Sequence, residues 1–255
     1  MERKMETDTT TGGPMTPEPQ ALPKSVKLLW DLDETGSRGP RRGMSLEQIL
    51  DTAMTIADTE GYAALSMARV AKELGFTTMS LYRYVDSKDT LVVLLYDRIF
   101  DHTPELPAGW RAGLEAWAWA EFHAIRAHDW WLDIPTTTPP LGPNNMAWLE
   151  TGMTALAEVD IPEALKLQLL VNLSIYVIGR TRFLRDAIRQ TEKQDYTGIL
   201  TAVLDPDRFP AVTSALTNRA FDSDDMHWEE ADFGFALDRL LDGYQTFIDA
   251  NTGAR

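Results

Sequence analysis

The sequence predicts an all-α fold, with an N-terminal three-helix domain that carries a helix-turn-helix and a larger C-terminal helical domain. Apolar residues recur at spacings of three and four along the chain, and no run alternates Val, Ile or Thr between turn residues as a strand would. Four separately capped helical segments also fit within residues 45–100.

In chain order, residues 1–36 read as a disordered leader, because Met1–Leu22 is rich in Thr, Pro, Gly and Glu. Inside the leader, Val26–Trp30 is a short apolar patch that fits one docked helical turn as well as an exposed piece of tail. Residues 37–44 form a basic arm, in which Arg38, Arg41 and Arg42 stand on Gly/Pro backbone that does not hold a helix. Ser45 with Gln48 makes a capping-box pattern ahead of a first helix with Leu46, Ile49, Leu50, Ala53, Ile56 and Ala57 on one face, closed by Gly61. Ser66 caps a second helix of about two turns with Val70, Ala71 and Leu74 inward, ended by Gly75. Thr77 or Thr78 caps a third, running to about Tyr84, with Leu81 and Val85 inward. Ser87 caps a fourth, a connector over residues 87–100.

The second and third helices are separated only by Gly75-Phe76-Thr77, and Ala71 lets them approach closely, which is the economy of a helix-turn-helix. With Leu81 and Val85 inward, Thr78, Ser80, Tyr82, Arg83 and Tyr84 face outward beside Thr77 and Met79, and this run contains no acid. Hydroxyls and a guanidinium bond phosphates and base edges, and a methyl or ring edge packs on thymine, so the face suits double-stranded DNA. Lys88 at a helix N-terminus suits a phosphate, and the arm suits a minor groove. Charge agrees with this location: residues 38–90 hold seven basic and seven acidic groups, whereas residues 91–255 hold 13 basic and 25 acidic, against −15 for the whole chain. The plain alternatives are a solvated helix surface and a solvated basic linker.

Gly61–Gly75 followed by Thr78–Val85 and Ser87–Leu91 resembles the DNA-binding domain of the tetracycline-repressor (TetR) family, over about residues 45–95. The resemblance implies a homodimeric, ligand-responsive repressor whose third helix enters the major groove. By the same resemblance, Thr78, Met79, Ser80, Tyr82 and Tyr84 take base or sugar–phosphate contacts, and Ser66 and Lys88 take phosphates. Members often carry a basic residue where this chain has Ala68, which leaves Arg69 and the arm as substitutes for readout from the second helix.

Residues 103–255 are expected to bind a small molecule and to dimerise. Six of the eight tryptophans lie between Trp110 and Trp148. Trp117 and Glu121 share one helix face, while Trp119 and His123 share another about 160° away. Trp117, Glu121, Trp130, Trp131 and Trp148 are candidates for an aromatic ligand site, set against the reading that tryptophans simply fill a core. On a long helix over about 162–189, Tyr176, Arg180 and Phe183 form a stripe, and Arg180 needs an acid or an anionic ligand there. Arg182, Arg185 and Arg189 read as surface salt-bridging residues. A final helix over about 228–250 carries Phe233, Leu237, Leu240, Leu241, Tyr244, Phe247 and Ile248, a stripe wide enough for pairing with a second copy. Helix breaks are expected at Thr103–Pro107, Pro135–Pro143, Asp160–Pro162 and Asp205–Asp225.

The absence of Cys excludes a thiol nucleophile and Cys-ligated metal sites, and the four histidines show no metal-ligand spacing, so no metal and no cofactor are expected. No apolar run reaches membrane-spanning length, and the opening residues lack a signal-peptide stretch, so a cytoplasmic protein that does not engage membranes is expected. No catalytic motif is found and no enzyme is expected. An activator, or a regulator without a ligand, would share every DNA-contacting residue. A ligand carrier or an enzyme retaining a vestigial three-helix module is the rival from another class.

Overall fold

The computed structural model describes residues 22–32, 43–135, 140–191, 195–220 and 228–252. The arm residues Arg38, Arg41 and Arg42 lie outside them.

Local chemistry sets the helix ends of the N-terminal domain. Helix α2 (Leu46–Glu60) starts on a complete capping box, with the Gln48 amide donating to Ser45 Oγ at 3.1 Å and the Ser45 amide donating to Gln48 Oε1 at 2.9 Å. Ser66 accepts from the Arg69 amide at the start of α3 (Met67–Glu73), and Thr77, rather than Thr78, accepts from the Ser80 amide at the start of α4 (Thr78–Leu81). Gly75 turns the chain between them at φ +75°, a conformation that strains any residue with a Cβ. Ser87 accepts from the Thr90 amide at the start of α5 (Lys88–Arg98). Ser87→Ala is expected to lower stability by about 1 kcal/mol in chemical denaturation, the usual cost of a lost N-cap.

Ile49, Ala53 and Ile56 of α2, Val70 and Ala71 of α3, Leu81 and Val85 around α4, and Leu91 and Leu95 of α5 are buried together. The third helix is shorter than the spacing predicts. Beyond Leu81 the chain continues as a turn, with the Tyr84 and Val85 amides both returning to the Leu81 carbonyl, which carries it round to the next cap at Ser87.

Residues 24–29, within the stretch read as leader, form helix α1 (Lys24–Leu29), which packs on α5 through Leu28 and Leu29. Trp30 Nε1 donates to the Leu141 carbonyl at 2.8 Å, so the Val26–Trp30 patch is docked on the body.

The C-terminal domain is built around α6 (Trp110–Ala127), which packs against α7 (Pro143–Ala155), α8 (Glu163–Thr191) and α11 (Trp228–Asn251). A 3-10 turn at Asp129–Asp133 follows α6. Helices α9 (Tyr196–Val203) and α10 (Pro210–Thr217) lie between α8 and α11 in sequence. The expected break at Asp205–Asp225 thus contains a helix, because Pro210 sits at the first helical position, where its fixed φ and missing N–H start a helix instead of ending one.

The wide stripe of α11 is largely consumed inside its own chain: Phe233, Leu237, Leu241, Tyr244 and Ile248 are buried, and Phe233 stacks on Phe122 of α6 at 4.3 Å. Phe247 stays partly exposed, and Phe235 stands out at 66% exposure. No described helix is long and apolar enough to cross a membrane.

Candidate functional site

The outward face of the helix-turn-helix is built on short, rigidly capped helices. Met79, at 74% exposure, and Tyr82, at 44%, are its most prominent apolar groups, with Thr77 and Arg83 also exposed. Thr78, Ser80 and Ser66 are half-buried, and Tyr84 packs partly against the core, so only part of its ring remains outward. Thr77 Oγ1 and Ser80 Oγ lie 2.9 Å apart, so two of the candidate hydroxyls are preoriented by each other.

Lys88 occupies the first turn of α5 with its ammonium 4.9 Å from the Tyr62 ring centroid, which holds the charge over that ring. Arg69 is placed differently from the expectation. Its guanidinium bridges Glu60 at 2.6 Å and Glu73 at 2.6 Å, so within the subunit it is committed to two carboxylates.

A cavity of about 430 Å³ lies in the C-terminal domain between α6, α7 and α8, with the C-terminal end of α5 as part of its wall. That volume suits a small organic ligand. Of the residues the sequence nominated, Trp117, Glu121, Trp131 and Trp148 line it. Each of these tryptophans donates its indole N–H to a backbone carbonyl: Trp117 to Trp148 at 3.0 Å, Trp148 to Phe100 at 2.9 Å, and Trp131 to Tyr96 at 3.3 Å. The rings therefore present only hydrocarbon and π surface to the interior. Glu121 brings the carboxyl to this wall. It is 4% exposed, accepts from Ser174 Oγ at 2.7 Å on one oxygen and has no hydrogen-bond partner on the other. Burial pushes its carboxyl up to about 8, partly opposed by the Ser174 hydrogen bond.

Trp130, Tyr176, Arg180 and Phe183 do not line the cavity. Trp130 and Trp131 are neighbours on a 3-10 turn, where successive side chains diverge by roughly 120°. Trp131 enters the cavity, while Trp130 Nε1 donates to Asp58 of α2 at 2.5 Å beside His128 Nδ1, 2.7 Å from the same oxygen. Tyr176 donates to the Phe233 carbonyl at 2.6 Å, and Arg180 pairs with Asp232, so this part of the α8 stripe faces α11. The acid that Arg180 needs is thus a residue of the chain itself. Phe183 is 59% exposed. Arg182 donates to the Leu132 carbonyl and Arg185 to Asp133 and the Asp129 carbonyl, which fastens the 3-10 turn to α8.

Two groups of site residues escaped the sequence reading. Tyr96, in the last turn of α5, and Phe100, just after it, form part of the cavity wall; Trp131 lies tilted against Tyr96 at 4.5 Å and meets Phe100 edge-on at 5.7 Å. Their spacing of four at the connector's end was the available signal. The other is Asp97, buried at 2% exposure, whose carboxylate accepts from the Asn144 amide at 3.2 Å and the Asn145 amide at 2.9 Å. These are the second and third residues of α7, whose N-cap, Gly142, has no side chain to offer. An acid from α5 therefore caps α7, and helix α5 is joined to both the helix-turn-helix and the cavity wall.

Comparison with known proteins places both halves. Residues 49–95 match the family model described as bacterial regulatory proteins, tetR family, and residues 103–248 match that described as the tetracyclin repressor-like C-terminal domain. The chain is 35% identical over 246 residues to the HTH-type transcriptional repressor DrrR1 of Streptomyces coeruleorubidus, covering 91% of this chain and 88% of that protein. It is 28% identical over 183 residues to an HTH-type transcriptional regulator of Saccharopolyspora erythraea, covering 70% of this chain and 72% of the other. The crystal structure of the Streptomyces coelicolor TetR family protein ActR in complex with actinorhodin aligns with a TM-score of 0.69 and 26% identity, covering 84% of this chain and 99% of that one.

Proposed function

The chain belongs to the tetR family of bacterial transcriptional regulators, and from that membership we propose that it is a homodimeric repressor, released from a two-fold symmetric DNA operator when a small aromatic molecule fills the C-terminal cavity. The observation that carries the reading is the shared wall: Tyr96 belongs to α5 and Phe100 follows directly after it, and α5 also packs against α2 of the DNA-binding domain, so an occupant of the cavity touches the connector directly. A ligand shifts operator affinity only by its preference between two positions of that helix, and contact with the connector is a route to such a preference. The ActR complex with actinorhodin supports small-molecule occupancy of this fold.

On the DNA side, Thr77, Thr78, Met79, Ser80, Tyr82, Arg83 and Tyr84 are assigned to groove and sugar–phosphate contacts, and Ser66 and Lys88 to phosphates. Arg38, Arg41 and Arg42 are assigned to an adjacent minor groove. Arg69 serves as a support residue between Glu60 and Glu73 in the free protein and reaches DNA only by leaving them. Dimerisation is assigned to the surface of α8 and α11 that still carries exposed Phe183, Phe235 and Phe247. Sedimentation is expected to give a dimer at micromolar concentration, and a monomer there would remove the two-headed reading.

The test is selection of bound duplexes from a random pool by the purified protein. A two-fold symmetric site is expected. On that site Tyr82→Ala is expected to weaken binding by roughly 10- to 100-fold, the scale of one lost base-side contact, with thermal stability unchanged because the ring is exposed. No enrichment at low or physiological salt would count against operator binding and reopen the carrier reading.

A further inference from the structure

The cavity lining is largely apolar; among its polar side chains Asn145 donates to Asp97 and Ser174 donates to Glu121, and Glu121 brings the carboxyl. Tyr96, Phe100, Trp117, Trp131 and Trp148 supply ring surface, and all three indole N–H groups are already satisfied by backbone carbonyls. Glu121 contributes a carboxyl whose second oxygen has no partner. A buried polar atom without a partner is costly, and it is expected to be satisfied in the state for which the site is built.

Two chemistries would satisfy that oxygen: a hydrogen-bond acceptor meeting a protonated carboxyl, or a cation meeting a carboxylate. The surroundings favour the cation. Aromatic faces around a carboxylate are the standard cage for an ammonium group. Among the described residues no cationic side chain lines the cavity to compete for the carboxylate. Residues 91–255 also carry a net charge of −12, which raises the local concentration of cations and repels anions. Burial raises the Glu121 carboxyl to about 8, so at neutral pH it is mostly protonated in the empty cavity, and a ligand ammonium brings the counter-charge that holds it ionised.

We propose that the effector of this protein is an aromatic molecule bearing a protonated amine, with its rings among the cavity tryptophans and its ammonium paired to Glu121. This rests on the reading that the cavity is the effector site. Ser174 is then the positioning residue, since its hydroxyl fixes one carboxylate oxygen and leaves the other for the ligand.

The experiment uses the full-length protein and two probes of equal size, 9-(aminomethyl)anthracene and 9-anthracenemethanol, with binding followed by tryptophan fluorescence quenching and by calorimetry. Wild-type protein is expected to bind the amine at least about tenfold more tightly than the alcohol, the scale of one charge-assisted hydrogen bond. Glu121→Gln is expected to abolish that preference while leaving affinity for the alcohol within about twofold. Glu121→Met gives the same readout through an apolar side chain if the amide perturbs the fold. Equal affinities in the wild type, or a preference that survives in both variants, overturns the amine proposal alone. Ile178→Trp, which adds bulk to the cavity wall, separates the two levels: loss of both probes there keeps the cavity as the site. Binding that persists in Ile178→Trp, or binding of neither probe to wild type, overturns the cavity reading and the amine proposal with it.

Discussion

Asp97→Ala is expected to lower the unfolding free energy by about 3 kcal/mol, which for a chain of this length is roughly 6–12 °C in Tm. The carboxylate is buried, and it accepts the Asn144 and Asn145 amides of α7 as well as Asn145 Nδ2. Truncation leaves these donors facing a dry gap. Each hydrogen bond to a charged acceptor contributes about 1.5–3 kcal/mol, and the N-terminus of α7 also loses the negative charge that its dipole favours. Gly142→Ala tests the same joint from the other side, because a Cβ there would overlap the Asp97 carboxylate. Both variants should destabilise the protein and weaken communication between cavity and DNA-binding domain, whereas Asp97→Asn, which keeps one acceptor oxygen, should lose less. A change within about 0.5 kcal/mol for Asp97→Ala in urea denaturation would mean that α7 is capped adequately without α5, and the joint would lose its proposed importance.

Glu121→Gln is expected to stabilise the protein in alkaline solution and to flatten its pH dependence. In the unfolded chain the carboxyl titrates near its ordinary value of 4.5, and burial raises it to about 8 in the folded protein. The native state therefore retains a proton that the unfolded state has already released. Stability from this group is complete below about pH 4.5 and falls as pH rises toward 8, by about 1.4 kcal/mol per pH unit within that window. The amide does not titrate, so the stability of the variant relative to wild type should improve by several kcal/mol between pH 5 and pH 9. Urea melts of both proteins at pH 5, 7 and 9 measure this difference. Parallel curves would show that Glu121 titrates normally, as a solvated carboxyl would, and that the cavity is wetter than its lining implies.

Helix ends in the N-terminal domain were legible in the sequence because capping is local. Ser45, Ser66 and Ser87 sit three residues from the amides they accept, and Gly75 sits where positive φ is needed. The same locality placed Trp117 and Glu121 on one face of α6 and Trp119 and His123 on another, and the structure turns the first pair to the cavity and sets Trp119 edge-on against Phe233 of α11. Periodicity gives the orientation of a side chain around its own helix but not the partner that the face meets. For that reason Tyr176 and Arg180 read as ligand groups and turn out to face α11, and the stripe on α11 read as an intersubunit seam and turns out to be mostly core.

The sequence by itself determined the all-helical class, the order and caps of the helix-turn-helix elements and the outward setting of Met79, Tyr82 and Arg83, since each depends on residues within four positions of one another. Tertiary structure decided the rest. It set Trp130 against Asp58 and Trp131 in the cavity, supplied Asp97 as a cap for a helix 47 residues away, and left one oxygen of Glu121 buried without a partner. These are contacts between segments far apart in the chain, and their energies come from desolvation and from which polar groups find partners, quantities that exist only once the helices have packed.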